Sequence, residues 1–143
     1  MSQDRPTVQL FRSDQQALEA IRALTRAGVR PDDISVLARS SAEVRRLHDE
    51  TGAAEDLEAG VNRDTGQEIL DVLGSLESLL VPGFGGVLVT GDLIPHIRGV
   101  VDDIRDRSRV SGVLVRLGIS REEANALEDA VASGQILVVI RPQ

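Results

Sequence analysis

The sequence contains no cysteine and no lysine, and its only aromatic residues are Phe11 and Phe84. Without cysteine, disulfide bonds, thiolate catalysis and cysteine-ligated zinc are excluded. Without lysine, Schiff-base chemistry and the lysine of a P-loop are excluded too, and all 16 basic residues are arginine. The near absence of aromatic side chains argues against stacking of single-stranded nucleic acid or sugar rings.

The charge balance is acidic, with 23 aspartate and glutamate residues and a formal net charge of −7 at pH 7. Such a surface repels a phosphate backbone, because nucleic-acid binding usually requires a basic face that releases counterions. The N-terminal sequence has no basic flank followed by an apolar run of signal-peptide length, so we expect a cytoplasmic protein. A chain of 143 residues can bury roughly 70% of its unfolded surface, and we expect a single domain over residues 1–143.

The most unusual stretch is VPGFGGVLVTGDLIPHIRGVV at residues 81–101, where glycines crowd the start. A membrane span needs about 20 predominantly apolar residues, whereas the uncharged residues 79–91 are too few and are interrupted by Pro82 and several glycines. A dinucleotide fingerprint needs a third glycine where Leu88 stands, and a strand before the loop where the pattern predicts a helix. We therefore expect no membrane span and no dinucleotide site, but a glycine-rich turn that leads into a strand.

Helix starts are marked by capping boxes, in which a serine or threonine stands three residues before a glutamate or glutamine. The boxes are Ser13 with Gln16, Ser40 with Glu43, Thr65 with Glu68, and Ser120 with Glu123. Apolar residues at helical spacing follow each box, and glycines end the first and last of these helices. The third box predicts a helix over about 66–80, and a further helix is expected after Asp92.

Four short strands are predicted between these helices, at 7–11, 34–38, 86–91 and 135–140. The order of the elements predicts an α+β fold, a ferredoxin-like split βαβ sandwich with four short strands and helical insertions. A helical and acidic insertion is placed at about 52–82, and a further helical insertion at about 92–118.

Three blocks of the sequence share a common pattern of structural residues: LFRSDQQALEAIRALTRAGVRPDDISVLAR, LLVPGFGGVLVTGDLI and LGISREEANALEDAVASGQILVVI. They resemble the bacterial general stress protein family with the YflT-like heat-induced stress domain. The resemblance implies a soluble α+β domain made under heat or general stress, and it implies no catalytic activity. Many members carry a long Gly/Ala-rich apolar hairpin where this chain has the charged segment EDLEAGVNRDTGQEILDVLGSLESLL.

No catalytic constellation is visible, because no serine has a histidine near it in sequence and the acidic residues lie mostly on polar helix faces. We expect no enzyme, and an uncharacterised enzyme is the least favoured alternative. One acidic group lacks the ligand alternation and the glycine of an EF-hand loop, so no specific metal site is expected. Its members are Asp49, Glu50, Glu55, Asp56 and Glu58.

The two histidines are the remaining candidates for cofactor binding. At 100° per residue, His48 falls within the apolar stripe of its helix and His96 at the border of another, so neither is expected to face bulk water. Such histidines usually form local hydrogen bonds, but a neutral imidazole beside an apolar slot is also a ligand for haem iron. Binding of haem or another apolar ligand by His96 or, second, His48 is therefore the alternative hypothesis.

The leading interpretation is a non-catalytic stress-response protein that works by binding or by self-association. A homodimer is expected, because a small sheet leaves its edge strands open, and Leu79, Leu80 and Phe84 lie beside the glycine-rich turn. The partner is otherwise expected to be an unidentified protein or an apolar small molecule, and not nucleic acid.

Overall fold

The computed structural model describes residues 5–51, 60–82, 84–102 and 110–142. Its five strands form one sheet in the order β1-β5-β2-β4-β3, and every neighbouring pair is antiparallel. The strands are β1 (Thr7–Phe11), β2 (Ile34–Ala38), β3 (Glu77–Val81), β4 (Gly85–Val89) and β5 (Ile136–Ile140). The helices are α1 (Asp14–Arg26), α2 (Ser41–Thr51), α3 (Arg63–Leu73), α4 (Leu93–Asp102), α5 (Val110–Arg116) and α6 (Arg121–Ala132).

The central strands β2 and β5 are buried at every position, which explains their nearly continuous apolar sequences ISVLA and ILVVI. Since β1 and β2 both run antiparallel to β5, they point the same way, with β5 between them. By the same argument β4 and β5 are parallel and flank β2. Two split βαβ units therefore interleave and confirm the α+β class, while the ferredoxin-like assignment itself stays a prediction.

Helices cover both faces of the sheet, so the core has two parts. On the face we call the α4–α6 face, Leu37 and Leu137 pack with helices α4, α5 and α6. On the other, which we call the α1/α3 face, Val36 and Val138 pack with α1 and α3. Adjacent residues of one strand thus belong to different cores, as the alternation of side chains along a strand requires.

Three of the four predicted capping boxes are confirmed on the serine side. Ser13, Ser40 and Ser120 each accept a hydrogen bond at Oγ from the backbone N–H three residues on, at 3.1–3.2 Å. The remaining box, Thr65 with Glu68, is wrong, because α3 begins at Arg63 with Asn62 as its N-cap. Thr65 is instead buried inside α3, where its hydroxyl accepts a hydrogen bond from Gln15 Nε2 at 2.9 Å.

The predicted count of four strands is also wrong, because the helix expected over 66–80 ends early. Gly74 adopts φ +83° immediately after Leu73, and a left-handed residue at this position ends a helix. Residues 77–81 then form β3, which pairs with β4 as a hairpin. The glycine-rich stretch therefore turns into a strand as expected, but a strand and not a helix precedes it. No helix in the described part of the chain is long and apolar enough to cross a membrane.

Candidate functional site: a cleft between two helix starts

A cleft of about 570 Å³ opens on the α1/α3 face, where the starts of α2 and α3 meet the hairpin of β3 and β4. Its floor is apolar and is formed by Val61, Leu76 and Leu88. The other lining residues come from the two helix starts: Ser40, Ser41, Ala42, Arg45, Asn62, Arg63, Asp64, Gly66 and Gln67.

A short parallel bridge holds the two helix starts side by side. The Ser41 N–H donates to the Val61 carbonyl at 2.7 Å, and the Val61 N–H donates to the Arg39 carbonyl at 2.9 Å. Gly60 allows this close approach, because it adopts φ +73° and a Cβ there would lie 2.9 Å from the Arg39 carbonyl oxygen. The local backbone therefore positions the cleft before any side chain contributes.

Side chains cap both helix starts. Ser40 Oγ accepts from the N–H of Glu43 at 3.1 Å, and Asn62 Oδ1 accepts from the N–H of Thr65 at 2.8 Å. The N–H of Asn62 in turn donates to a carboxylate oxygen of Asp14, a buried residue at the start of α1, at 2.9 Å. These bonds fix the positive ends of two helix dipoles at the mouth of the cleft.

Arg45 and Arg63 place two guanidinium groups on the cleft lining, and both residues are exposed. Among the described residues, no carboxylate forms an ion pair with either of them. Asp64 is the only acidic residue of the described lining. The rim therefore carries net positive charge above an apolar floor, although the chain as a whole has a net charge of −7.

A third arginine, Arg39, is buried on the opposite side of the sheet with 4% of its surface exposed. Its Nη2 donates to the Phe84 carbonyl at 2.8 Å, its Nε donates to the Ala132 carbonyl at 3.0 Å, and the guanidinium lies 4.3 Å from the centroid of the Phe84 ring. Its Nη1 is buried without a hydrogen-bond partner among the described residues. Arg39 thus joins the end of β2 to the hairpin turn and to the last turn of α6.

Burial lowers the pKa of the Arg39 guanidinium from its ordinary value, and the nearby negative charge of Glu43 opposes that shift. Glu43 also accepts a hydrogen bond from the Gly86 N–H at 3.0 Å and forms an ion pair with Arg46. The hydrogen bond to Glu43 raises the pKa of Arg46. These bonds connect α2 to β4 within the protein itself.

The two predicted cofactor-binding residues, His96 and His48, lie on different helices. His96 is exposed on α4 and does not line the cleft, whereas its periodicity predicted a position at the edge of the core. The backbone of His48 lies in α2, but its side chain is outside the described residues. Haem ligation by His96 or His48 therefore stays a prediction, which a hemin titration would test.

Of the five residues in the acidic group, Glu55, Asp56 and Glu58 lie outside the described residues. Within the described ranges, no three histidine or acidic side chains come close enough together to hold a metal ion.

None of the described residues that line the cleft was predicted as a site residue. Asparagine is a preferred N-cap residue, and Asn62 stands three residues before Thr65, whose N–H it caps. The sequence therefore contained a signal for the start of α3 at Asn62. Arg45 and Arg63 carry no such signal, because the bridge that brings α2 and α3 together joins residues about 20 positions apart along the chain.

Residues 6–73 match the family model of the heat-induced stress protein YflT domain. The match confirms the resemblance inferred from the sequence, and it runs from the residue before β1 to the last residue of α3. It includes every described lining residue of the cleft except Leu76 and Leu88. No curated protein and no solved structure matched the chain.

Proposed function

We propose that this general stress protein, a member of the heat-induced YflT family through its residues 6–73, is a non-catalytic binding protein. Its ligand is a small molecule with an apolar body and an anionic end, held in the cleft between α2 and α3. The observation that carries the proposal is the combination of an apolar floor and a rim with two arginines in one cleft.

The size and lining of the cleft support a small-molecule ligand. Ligand sites typically enclose 300–1,000 Å³ and combine apolar walls with a few convergent polar groups, and this cleft has a volume of about 570 Å³. An apolar ligand body would cover Val61, Leu76 and Leu88, with a gain of roughly 25 cal/mol per Å² of apolar surface removed from water. The floor therefore supplies affinity for the body of the ligand.

The rim determines the charge of the ligand that fits. Arg45 and Arg63 can each form charge-assisted hydrogen bonds with a carboxylate or phosphate, and such bonds are roughly twice as strong as neutral ones. The capped starts of α2 and α3 add positive potential at the same mouth. A cation of the same size would meet two positive side chains and gain nothing from them.

The described lining favours binding over turnover. It contains no histidine and no glutamate, and the hydroxyl of Ser40 already accepts a hydrogen bond as the N-cap of α2. A serine nucleophile requires a base within hydrogen-bond reach. Among the described residues no hydrogen bond joins the other serine of the lining, Ser41, to its carboxylate, Asp64, so the lining supplies recognition groups without such a pair.

Isothermal titration calorimetry with decanoate and decyltrimethylammonium tests the proposal, because these probes share an apolar chain and carry opposite charges. We expect saturable binding of decanoate at one site per chain and no measurable binding of decyltrimethylammonium. Arg45→Gln and Arg63→Gln should each weaken decanoate binding by roughly tenfold, which corresponds to the loss of about 1.4 kcal/mol of interaction.

Arg26→Gln is the matched control, because it removes one exposed positive charge from α1, outside the cleft. It should leave decanoate affinity within about twofold of the unmodified chain, since an exposed charge outside the site contributes little. Equal binding of both probes, or equal losses in all three variants, would contradict the proposal.

A further inference from the structure

β3 forms one edge of the sheet, and among the described residues it pairs only with β4. An edge strand presents unpaired N–H and C=O groups along its outer side, and these groups can pair with another strand. Leu80, in this strand, is 69% exposed and is the more exposed of the two large hydrophobic residues that the described surface displays.

Within the described residues, β3 shows few of the devices that usually prevent strand pairing. Proteins protect open edges with lysine, proline, inward-pointing charges or β-bulges. The pairing of β3 with β4 is continuous from Glu77 to Val81, and proline appears only at position 82, after the strand. Glu77 is the only charged residue of β3, and it forms an ion pair with Arg98 of α4.

We propose that β3 is a homodimerisation edge and that its occupant is β3 of a second copy, paired antiparallel across a two-fold axis. The strand is self-complementary in this arrangement. A pairing centred on Leu79 places Glu77 opposite the partner's Val81 and Ser78 opposite the partner's Leu80, so no like charges face one another.

The two-fold pairing also covers the exposed side chain. Leu80 and the partner's Leu80 become diagonal neighbours on the same face, within reach of each other and of Ser78. The two β3 strands then lie in the middle of one sheet that continues across both copies, and among the described strands each copy retains only β1 as a free edge.

The other edge strand, β1, fits a second copy less well. Its exposed positions include the polar residues Thr7 and Gln9, and Leu10 is only 38% exposed. If β1 paired with the partner's β3, the resulting dimer would still have a free β3 edge at one end and a free β1 edge at the other. Further copies could add to these edges, and such head-to-tail contacts generate open filaments. Pairing of β3 with β3 uses the same surface twice and closes at two copies.

Sedimentation equilibrium over a range of protein concentrations tests this proposal. The unmodified chain should approach twice the mass of one 15.4 kDa chain as concentration rises. Leu80→Arg should sediment as a single chain at every concentration tested, because it places like charges side by side at the two-fold axis. Leu10→Arg is the matched control on β1 and should leave dimer formation unchanged.

A second variant separates loss of the dimer from loss of the fold. Ser78→Lys adds a charge at an exposed position of β3, where a single chain can solvate it, and it should also abolish the dimer while far-ultraviolet circular dichroism and the melting temperature stay unchanged. The proposal is overturned by a single-chain mass for the unmodified protein at all concentrations, by dimers in both β3 variants, or by growth beyond the dimer.

Discussion

The hairpin of β3 and β4 has two faces, and the same ten strand residues contribute side chains to both. The two faces differ in how completely other elements cover them. On the α4–α6 face, Leu79, Val81, Val87 and Val89 pack into a core with three helices. On the α1/α3 face, Leu88 is half-buried beneath the cleft and Leu80 is largely exposed. The covered face stabilises the hairpin, and the other face leaves apolar surface accessible to solvent.

This difference shows why an apolar residue in a strand cannot be assigned to the core from its type alone. Leu79 and Leu80 are adjacent and identical, yet one packs against the core and the other is 69% exposed. Their environments differ because adjacent side chains of a strand point to opposite faces. The cleft and Leu80, the exposed side chain of the proposed dimer edge, both lie on the less covered side of β3 and β4.

The largest effect is expected from Arg39, whose side chain is buried on the covered side. Arg39→Ala should lower the free energy of unfolding by about 2–4 kcal/mol, because two partly buried carbonyls lose their donors and a cavity opens beside Phe84. Arg39→Met should cost less, since it retains most of the volume. Urea unfolding measures both variants, and Arg26→Ala on the surface is the control. A loss below about 0.5 kcal/mol for Arg39→Ala, the range of ordinary surface substitutions, would contradict this account.

Substitutions at the adjacent glycines of β4, Gly85 and Gly86, compare the stability contributions of the two faces directly, because these glycines face opposite sides of the sheet. At Gly85, φ is +114° and an added Cβ would lie 2.9 Å from Arg39 Nη1, so Gly85→Ala should destabilise the fold by about 1–3 kcal/mol. At Gly86, an added Cβ would meet the carboxylate of Glu43 at 2.6 Å, but that group is the flexible end of a side chain. Gly86→Ala should therefore cost about 0.5–1.5 kcal/mol, the value of the hydrogen bond to Glu43.

Thermal and urea unfolding of the two glycine variants side by side provide the measurement. An equal or larger loss for Gly86→Ala would show that the uncovered face contributes as much to stability as the covered one.

The smallest effect is expected from Gly66, which lines the cleft within α3. A Cβ there would make ordinary contacts with Val61 at 3.7 Å and Leu76 at 3.9 Å, so Gly66→Ala should stabilise the helix by about 0.4–1 kcal/mol. Because the methyl group takes up space in the cleft, decanoate affinity should fall a few-fold.

Gly99→Ala is the matched control, since this exposed glycine of α4 has no atom within 4 Å of an added Cβ. It should give a similar gain in melting temperature and leave decanoate affinity unchanged. If both substitutions reduce decanoate binding equally, the cleft is not the decanoate site.

Local signals predicted much of the fold and little of the site. Serines at helix starts were identified correctly at Ser13, Ser40 and Ser120, because a capping bond joins residues only three positions apart. The helix predicted over 66–80 merged α3 with β3, because Ile69, Leu73, Leu76 and Leu80 keep a helical spacing across the break at Gly74. The conformation of one glycine decided between the two alternatives.

The α+β class, the resemblance to the YflT domain, most helix starts and the central strands β2 and β5 were predictable from the sequence alone. They depend on hydrophobic period and capping, which are properties of short segments. Three features were visible only once the chain is folded: which face of each strand is covered, the burial of Arg39, and the shared cleft of Arg45 and Arg63. These three features depend on contacts between segments that are distant along the chain. The hydrogen bond from Arg39 to Ala132, for example, joins residues 93 positions apart. A pattern read along a short window contains no information about such contacts, since they form only when the sheet brings the segments together.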